Sequence, residues 1–452
     1  MASIGFYGGA GGVTGANYVL DTGSCKIMVD CGLFQGWRFA EEENHKPFPY
    51  DPASIDTVCV THAHADHIGR LPKLVRDGFR GTIYATEPTA ALMRVMLEDA
   101  LGIIKHECEW HSDTPLYEQH DLDKTLSLIK PLRYDEWVVL KNCRLSFHDT
   151  AHILGSAMIE IHVDEKILVF TGDLGNVPSP LLKTIYPLEY CDYLIMESVY
   201  GNRLHEPAGE REMKLERMIE DTVTRNGTLI IPTFALERTQ ELLSQLNELI
   251  EHNRIPRVPV YLDSPLAINA TEVYQQFTHY FNEHTQEELA HGHDNDLFNF
   301  PGLIMTPTRE DSQKINDAPS PKIIMAGNPH GYGSRIMHHF LRVLPDPNSM
   351  VLFVGYARTS SMGRKLVDGA KEVEIFKKPV PVLCRIEHIS GYSAHADQTQ
   401  LVSFISHINK PIKNIFVTMG DPEAAKTFAT LAQDTVGLHA SVPMLGDVIE
   451  LT

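Results

Sequence analysis

Four potential metal ligands crowd into the six residues His62-Ala63-His64-Ala65-Asp66-His67, directly after the apolar run Thr57–Val60. Side chains this dense cannot share one helix face, and a loop folded around an ion at a strand end suits them. Zinc-type ions take imidazole and carboxylate ligands at about 2.0–2.2 Å. From an extended segment His62 and His64 point the same way, while Asp66 and His67 turn toward a second position. His152 sits in a turn, Thr150-Ala151-His152-Ile153-Leu154-Gly155-Ser156. Asp173 and Asp30 each close an apolar run, Lys166–Phe170 and Lys26–Val29. A lone carboxylate in such a place is commonly a turn or cap residue. Two such carboxylates and the turn histidine beside an H-x-H-x-D-H point to a shared centre for divalent ions, which activate water near neutral pH and clamp a phosphoryl group.

The elements that must carry these groups follow from hydrophobic pattern. Short apolar runs at Ser3–Tyr7, Ala16–Leu20, Lys26–Val29 and Thr57–Val60, separated by Gly-rich turns, predict a β-meander. Ala157–His162 and Lys166–Phe170 flank Asp164-Glu165 and predict a hairpin. After about Asn202 strands alternate with helices: Glu210–Arg225, Thr228–Ile231, Glu237–His252, Val258–Leu262, Lys322–Met325 and Val351–Val354. That alternation predicts βαβ units and a parallel sheet, so the fold class is α/β. Glu283–Asn299 is polar and reads as a loop or a short helix.

The H-x-H-x-D-H with a downstream His and Asp at strand ends resembles the metallo-β-lactamase fold. Met196-Glu197-Ser198-Val199-Tyr200-Gly201-Asn202-Arg203 is similar to the opening of the β-CASP insertion. Phe234–Glu241, Leu262–Ala267 and Gly391-Tyr392-Ser393-Ala394-His395-Ala396-Asp397 are similar to its later signatures, as Gly8–Gly15 is to the family's start. The resemblance runs end to end. It implies an αββα sandwich at 1–201 and 371–452, with the β-CASP domain inserted at 202–370. It implies that His62, His64 and His152 hold one zinc and that Asp66 and His67 hold a second, with Asp173 bridging. Asp30 would orient ligand imidazoles, and Asp66, Glu197 and His395 would be catalytic. The family contains RNA-processing nucleases, so the implied activity is hydrolysis of single-stranded RNA with one or two zinc ions per chain.

One departure touches the metals. The family places a histidine after its last core strand, ahead of Gly-Asp/Glu-Pro-Glu-Ala; here Met419 precedes Gly420-Asp421-Pro422-Glu423-Ala424. A thioether is a soft, neutral, poor ligand for such an ion. The resemblance therefore also admits an RNA-binding paralogue with weak or no catalysis, and more remotely a small-molecule hydrolase. A second departure replaces the family's small-residue segment with Ala326–Gly333, where His330 is a turn residue or a substitute contact.

Composition limits the partners. The chain has 452 residues, 39 Lys+Arg, 59 Asp+Glu and a net charge of −20. Residues 201–370 carry 16 Lys/Arg against 22 Asp/Glu, so no broad polyanion-binding face is expected. Lys322, Arg335, Arg342, Arg358, Arg364 and Lys365 face only Asp346. Arg358 and Arg364, in a Gly-rich stretch, are candidate phosphate contacts, with Ser393 beside His395 as another. Arg335 and Arg342 read equally as a solvated helix face. Seven dispersed cysteines without a C-x-x-C fit reduced thiols in a cytoplasmic protein. No apolar run reaches the roughly 18 residues of a membrane span. A homodimer is compatible with the sequence.

Overall fold

A computed structural model describes residues 2–36, 40–111, 114–291, 296–327, 335–355, 361–409 and 412–452. Arg358 and His330 lie outside the described residues. The chain divides into two compact units, 1–204 with 395–452, and 205–394.

The first unit holds two seven-stranded sheets. One runs Val448–Glu450, Ser3–Gly8, Asn17–Asp21, Lys26–Val29, Thr57–Cys59, Thr82–Thr86, Ile129–Leu132. The other runs Ala440–Ser441, Asn414–Thr418, Tyr193–Glu197, Lys166–Phe170, Ala157–Val163, Cys143–Asp149, Val138–Val139. Side-chain alternation along each strand decides which core a residue joins. Leu168 and Phe170, Tyr193 and Ile195, and Phe416 turn inward with Phe6, Tyr18, Ile27 and Val29 to fill the space between the sheets. Their neighbours Val169, Leu194, Met196, Ile415 and Val417 face the other way, onto Leu401, Ile405 and Phe428. Those three come from the helices Gln398–Ser406 and Pro422–Leu431. This is the layered sandwich that the resemblance implies.

The meander expectation needs one correction. Ser3–Gly8, Asn17–Asp21 and Lys26–Val29 are antiparallel neighbours, but Thr57–Cys59 joins Lys26–Val29 in parallel. The intervening segment is long enough for a crossover and contains the helix Ala40–His45. The parallel arrangement brings Asp30 and the His62–His67 loop to the same end of the sheet.

The second unit has a six-stranded parallel sheet, Leu303–Met305, Val260–Asp263, Lys322–Gly327, Thr228–Thr233, Met350–Val354, Arg385–Ile389. The expected boundary at 370 falls too early. Arg385–Ile389 pairs in parallel with Met350–Val354, so the chain stays in this unit until residue 394. The polar stretch from 283 begins as a short helix, Glu283–His291. No helix among the described residues is long and apolar enough to cross a membrane.

Candidate metal centre and active site

In the first unit, the candidate ligands sit at or just beyond the C-terminal ends of strands, His152 in the turn that follows Cys143–Asp149. Asp30 follows Lys26–Val29, the His62–His67 loop follows Thr57–Cys59, Asp173 follows Lys166–Phe170, and Glu197 ends Tyr193–Glu197. Close backbone approach makes this possible. A Cβ on Gly32 would lie 1.5 Å from the Asp66 carbonyl oxygen, and one on Gly175 would lie 1.9 Å from that of Ala151. Glycine is therefore required at both places.

Asp30 is fully buried with a left-handed φ of 59°. Its Oδ1 accepts the Thr61 amide at 2.8 Å, and its Oδ2 accepts the Thr61 hydroxyl and His67 Nδ1–H, each at 2.7 Å. His67 Nδ1 therefore carries a proton, and Nε2 is turned away from Asp30, toward Asp173. Thr61 Oγ1 also lies 3.1 Å from His62 Nδ1. With the hydroxyl proton given to Asp30, His62 Nδ1–H donates to Thr61 and His62 Nε2 presents its lone pair. Thr61 stands in the motif, yet its positioning role shows only in three dimensions.

Three imidazoles converge. His64 Nδ1 is 3.0 Å from His62 Nε2 and 3.2 Å from His152 Nε2. A proton on His64 Nδ1 cannot point squarely at both neighbours, whereas a cation among the three nitrogens would satisfy all of them. Asp173 Oδ2 stands 3.5 Å from His62 Nε2 and from His152 Nε2. One donor atom from each of His62, His64, His152 and Asp173 falls within 4.8 Å of the others. On the other side of the carboxylate, Asp173 Oδ1 and His67 Nε2 are 3.5 Å apart, buried, and without a hydrogen bond. Orphaned polar atoms of this kind are costly to bury unless an ion completes them. The donor set of nitrogen and carboxylate oxygen fits zinc. Asp66 is half-buried in the first turn of the short helix Ala65–Ile68.

Beside this cluster lies a second group, Asp173, Glu197 and His395, whose donor atoms also come within 4.8 Å of one another. His395 Nδ1 is 3.4 Å from Glu197 Oε1 and 3.8 Å from Asp173 Oδ2. Glu197 Oε1 accepts the Leu174 amide at 2.6 Å and Oε2 the Val199 amide at 3.2 Å. His395 is pinned by a bridge to Gly175 and by the Ala396 amide donating to the Leu174 carbonyl at 2.7 Å. Its side chain keeps 22% exposure, the most open of this trio.

The field in the pocket is set by burial and charge. Burial, then the neighbouring His67, hold His62 well below the ordinary histidine value. His67 goes the other way: burial opposes its charge, but Asp173 and Asp30 outweigh it and hold its pKa well up. Asp173 stays ionised against the cost of burial because His67 and His62 flank it. Burial raises Glu197, against the pull of His395.

Met419 follows Asn414–Thr418 with a left-handed φ of 45° and is 2% exposed. It packs into the inter-sheet core and lines a small cavity with Asp30, Thr61, His67 and Thr418. Of the remaining expected substrate contacts, Arg364 is held by Asp368 through two contacts at 2.8 and 2.9 Å. Ser393 is buried and belongs to the second unit.

Three family models match this chain: the metallo-beta-lactamase superfamily at residues 10–190, the Beta-Casp domain at 239–366, and the Zn-dependent metallo-hydrolase RNA specificity domain at 379–443. The chain is 36% identical to a protein named ribonuclease TTHA0252 from Thermus thermophilus, covering 88% of this chain and 89% of that one. It is 30% identical to an RNase J-like protein of Methanocaldococcus jannaschii, covering 100% of both. It is also 30% identical to a transcription termination factor, FttA, of Methanosarcina mazei, covering 94% of this chain and 67% of that one. A crystal structure of a protein of unknown function from Enterococcus faecalis shares the fold, with a TM-score of 0.58 over 100% of both chains at 12% identity. With its sandwich, its inserted parallel-sheet unit and these relatives, the chain belongs to the β-CASP group of the metallo-β-lactamase superfamily, a group of metal-dependent hydrolases.

Proposed function

We propose that this protein is a zinc-dependent ribonuclease that hydrolyses phosphodiester bonds of single-stranded RNA. The convergence of His62, His64, His152 and Asp173 beside the Asp173–Glu197–His395 group carries the reading. RNA as the substrate class is supported by the relatives named ribonuclease and RNase J-like and by the match to an RNA specificity domain. His62, His64, His152 and Asp173 would hold one zinc; Asp66, His67 and Asp173 would hold a second. When bound, zinc supplies Lewis acidity, activating water near neutral pH and drawing charge from the phosphate. The chain's own groups do the rest. Asp66 or Asp173 orients the attacking water. His395 hands a proton to the departing ribose oxygen, and Glu197, fixed by two backbone amides, keeps His395 charged and aimed. Arg358, Arg364 and Ser393 remain the proposed substrate contacts, Arg364 having to exchange Asp368 for phosphate.

A second reading, an RNA-binding paralogue with weak catalysis, draws on Met419, which stands beside His67 and offers no good ligand. One experiment separates the two. Metal content of the purified protein is measured, and end-labelled single-stranded RNA is followed over time with added zinc or manganese and with EDTA. The nuclease reading expects at least one zinc per chain, cleavage that EDTA stops, and loss of cleavage but not of RNA binding in His64→Ala and Asp66→Ala. Full activity in both variants would reject the assigned chemistry. Binding without cleavage at any metal would favour the paralogue.

A further inference from the structure

In the second unit the antiparallel strands Glu372–Ile375 and Lys378–Pro381 are closed by the two residues Phe376 and Lys377. Both have positive φ, 49° and 61°, a turn whose easy occupants are Asn and Gly. Left-handed backbone crowds the Cβ of a bulky residue, so phenylalanine is a costly choice for local structure. Core packing does not explain it either. Val373, Ile375 and Val380 on the inner face bury against Ile336, Met337 and Phe340, whereas Phe376 is 50% exposed. Its ring lies against the exposed His338, with centroids 4.8 Å apart and planes tilted by 40°.

Cations surround this pair. Arg342, one turn beyond His338, is exposed and donates from Nη1 to the His338 carbonyl at 2.9 Å. Lys377 and Lys378 are exposed at the turn, and Arg309 is exposed and close enough to act on His338. Burial, then Arg342, His339 and Arg309, keep the His338 pKa below its ordinary value, so the ring is neutral near pH 7 and free to stack. Other cations nearby are spent: Arg335 on Asp263, Lys314 on Asp311, Arg364 on Asp368. Among the described residues Arg309, Arg342, Lys377 and Lys378 have no carboxylate partner within ion-pair distance. Glu372 and Glu374, exposed on the same strand, lie further back along it from the turn. A protein partner would favour a contiguous apolar patch with few charges. One aromatic pair ringed by unpaired cations fits a base with phosphates on either side.

We propose that Phe376 and His338 form a stacking platform for a base of single-stranded RNA, with Arg342, Lys377, Lys378 and Arg309 contacting the flanking phosphates. The proposal rests on the RNA reading above and extends it to a part of the second unit outside the centre of chemistry. The test is the affinity of the full chain, in EDTA, for a fluorescent 20-nucleotide oligoadenylate by anisotropy. Phe376→Ala should weaken binding about fivefold to a hundredfold, and Phe376→Trp should restore it. Arg342→Gln combined with Lys377→Gln should weaken binding and flatten the salt dependence by about 0.7 in slope per cation removed. With zinc present, Phe376→Ala should raise KM and leave kcat unchanged. If wild type binds and the alanine variant binds equally well, the platform is wrong and the nuclease reading stands. If wild type binds no single-stranded RNA, both fall. Should Phe376→Ala lose affinity only together with its melting transition, while the Arg342/Lys377 pair keeps full affinity, the platform is also rejected. Retained RNA affinity with lost self-association in sedimentation would assign the ring to a second copy instead.

Discussion

At the scale of single residues, Asp30 and Thr61 show how the chain itself fixes the imidazoles of two candidate ligands, His67 and His62. Asp30 takes the proton-bearing side of His67, and Thr61 relays the same carboxylate to His62. Glu197 does the analogous work for His395 while accepting two amides. Glu197→Gln keeps the shape and removes the charge. It should lower kcat for RNA cleavage about 10²- to 10⁴-fold with little change in RNA affinity, as single-turnover rates and binding measured side by side would report. Met419→His puts an imidazole beside the cavity that His67 and Asp30 line. The variant should carry more metal per chain by elemental analysis, and an unchanged content would mean that residue 419 does not face the second ion. Much of this centre was legible in the sequence, because H-x-H-x-D-H and carboxylates that close apolar runs are local signals. Thr61 and the Leu174 amide were not legible, because each matters only through contacts made across the sandwich.

At the scale of elements, the second unit is organised around a buried carboxylate. Asp263 ends Val260–Asp263 with its side chain fully buried. Its Oδ1 accepts Arg335 at 2.7 Å and Thr306 at 2.8 Å; its Oδ2 accepts His339 and Ser312, each at 2.7 Å. Arg335, for which a solvated helix face is an even reading from sequence, instead pairs with the buried Asp263. Helical periodicity cannot reveal a partner 72 residues away. Lys322 is likewise spent, donating to the Ile315 and Ala318 carbonyls at 2.7 and 2.6 Å. Breaking a buried charged network from one side leaves the other side uncompensated, so Asp263→Ala should destabilise the protein by about 3–5 kcal/mol in denaturant titration. Although burial opposes its charge, His339 and the hydroxyls of Ser312 and Thr306 hold the Asp263 pKa down to about 2. A depressed carboxylate stabilises the fold above its unfolded value and loses that contribution as protons bind. Melting temperature in the wild type should therefore fall between about pH 4 and pH 2, and Asp263→Asn should flatten that fall.

At the scale of the whole molecule, charge and chain order matter most. A net charge of −20 leaves few cations for a polyanion. RNA affinity should decline gently with salt, with a log–log slope of about −3 for four phosphate contacts on a single strand; a slope twice as steep, measured by anisotropy, would reveal a basic surface that the net charge does not lead one to expect. The division into units was legible as a change from β-rich to alternating texture, but its second boundary was not. Arg385–Ile389 looks like any short strand, and only pairing with Met350–Val354 assigns it. The first sheet holds a related surprise: Ser3–Gly8 has the last strand, Val448–Glu450, as a neighbour. During synthesis, then, Ser3–Gly8 leaves the ribosome with one flank bare until Val448–Glu450 has been made. A nascent chain that could cut RNA from its earliest folded stage would endanger its own template; in the proposed mechanism the proton donor, His395, is made only long after the His62–His67 loop.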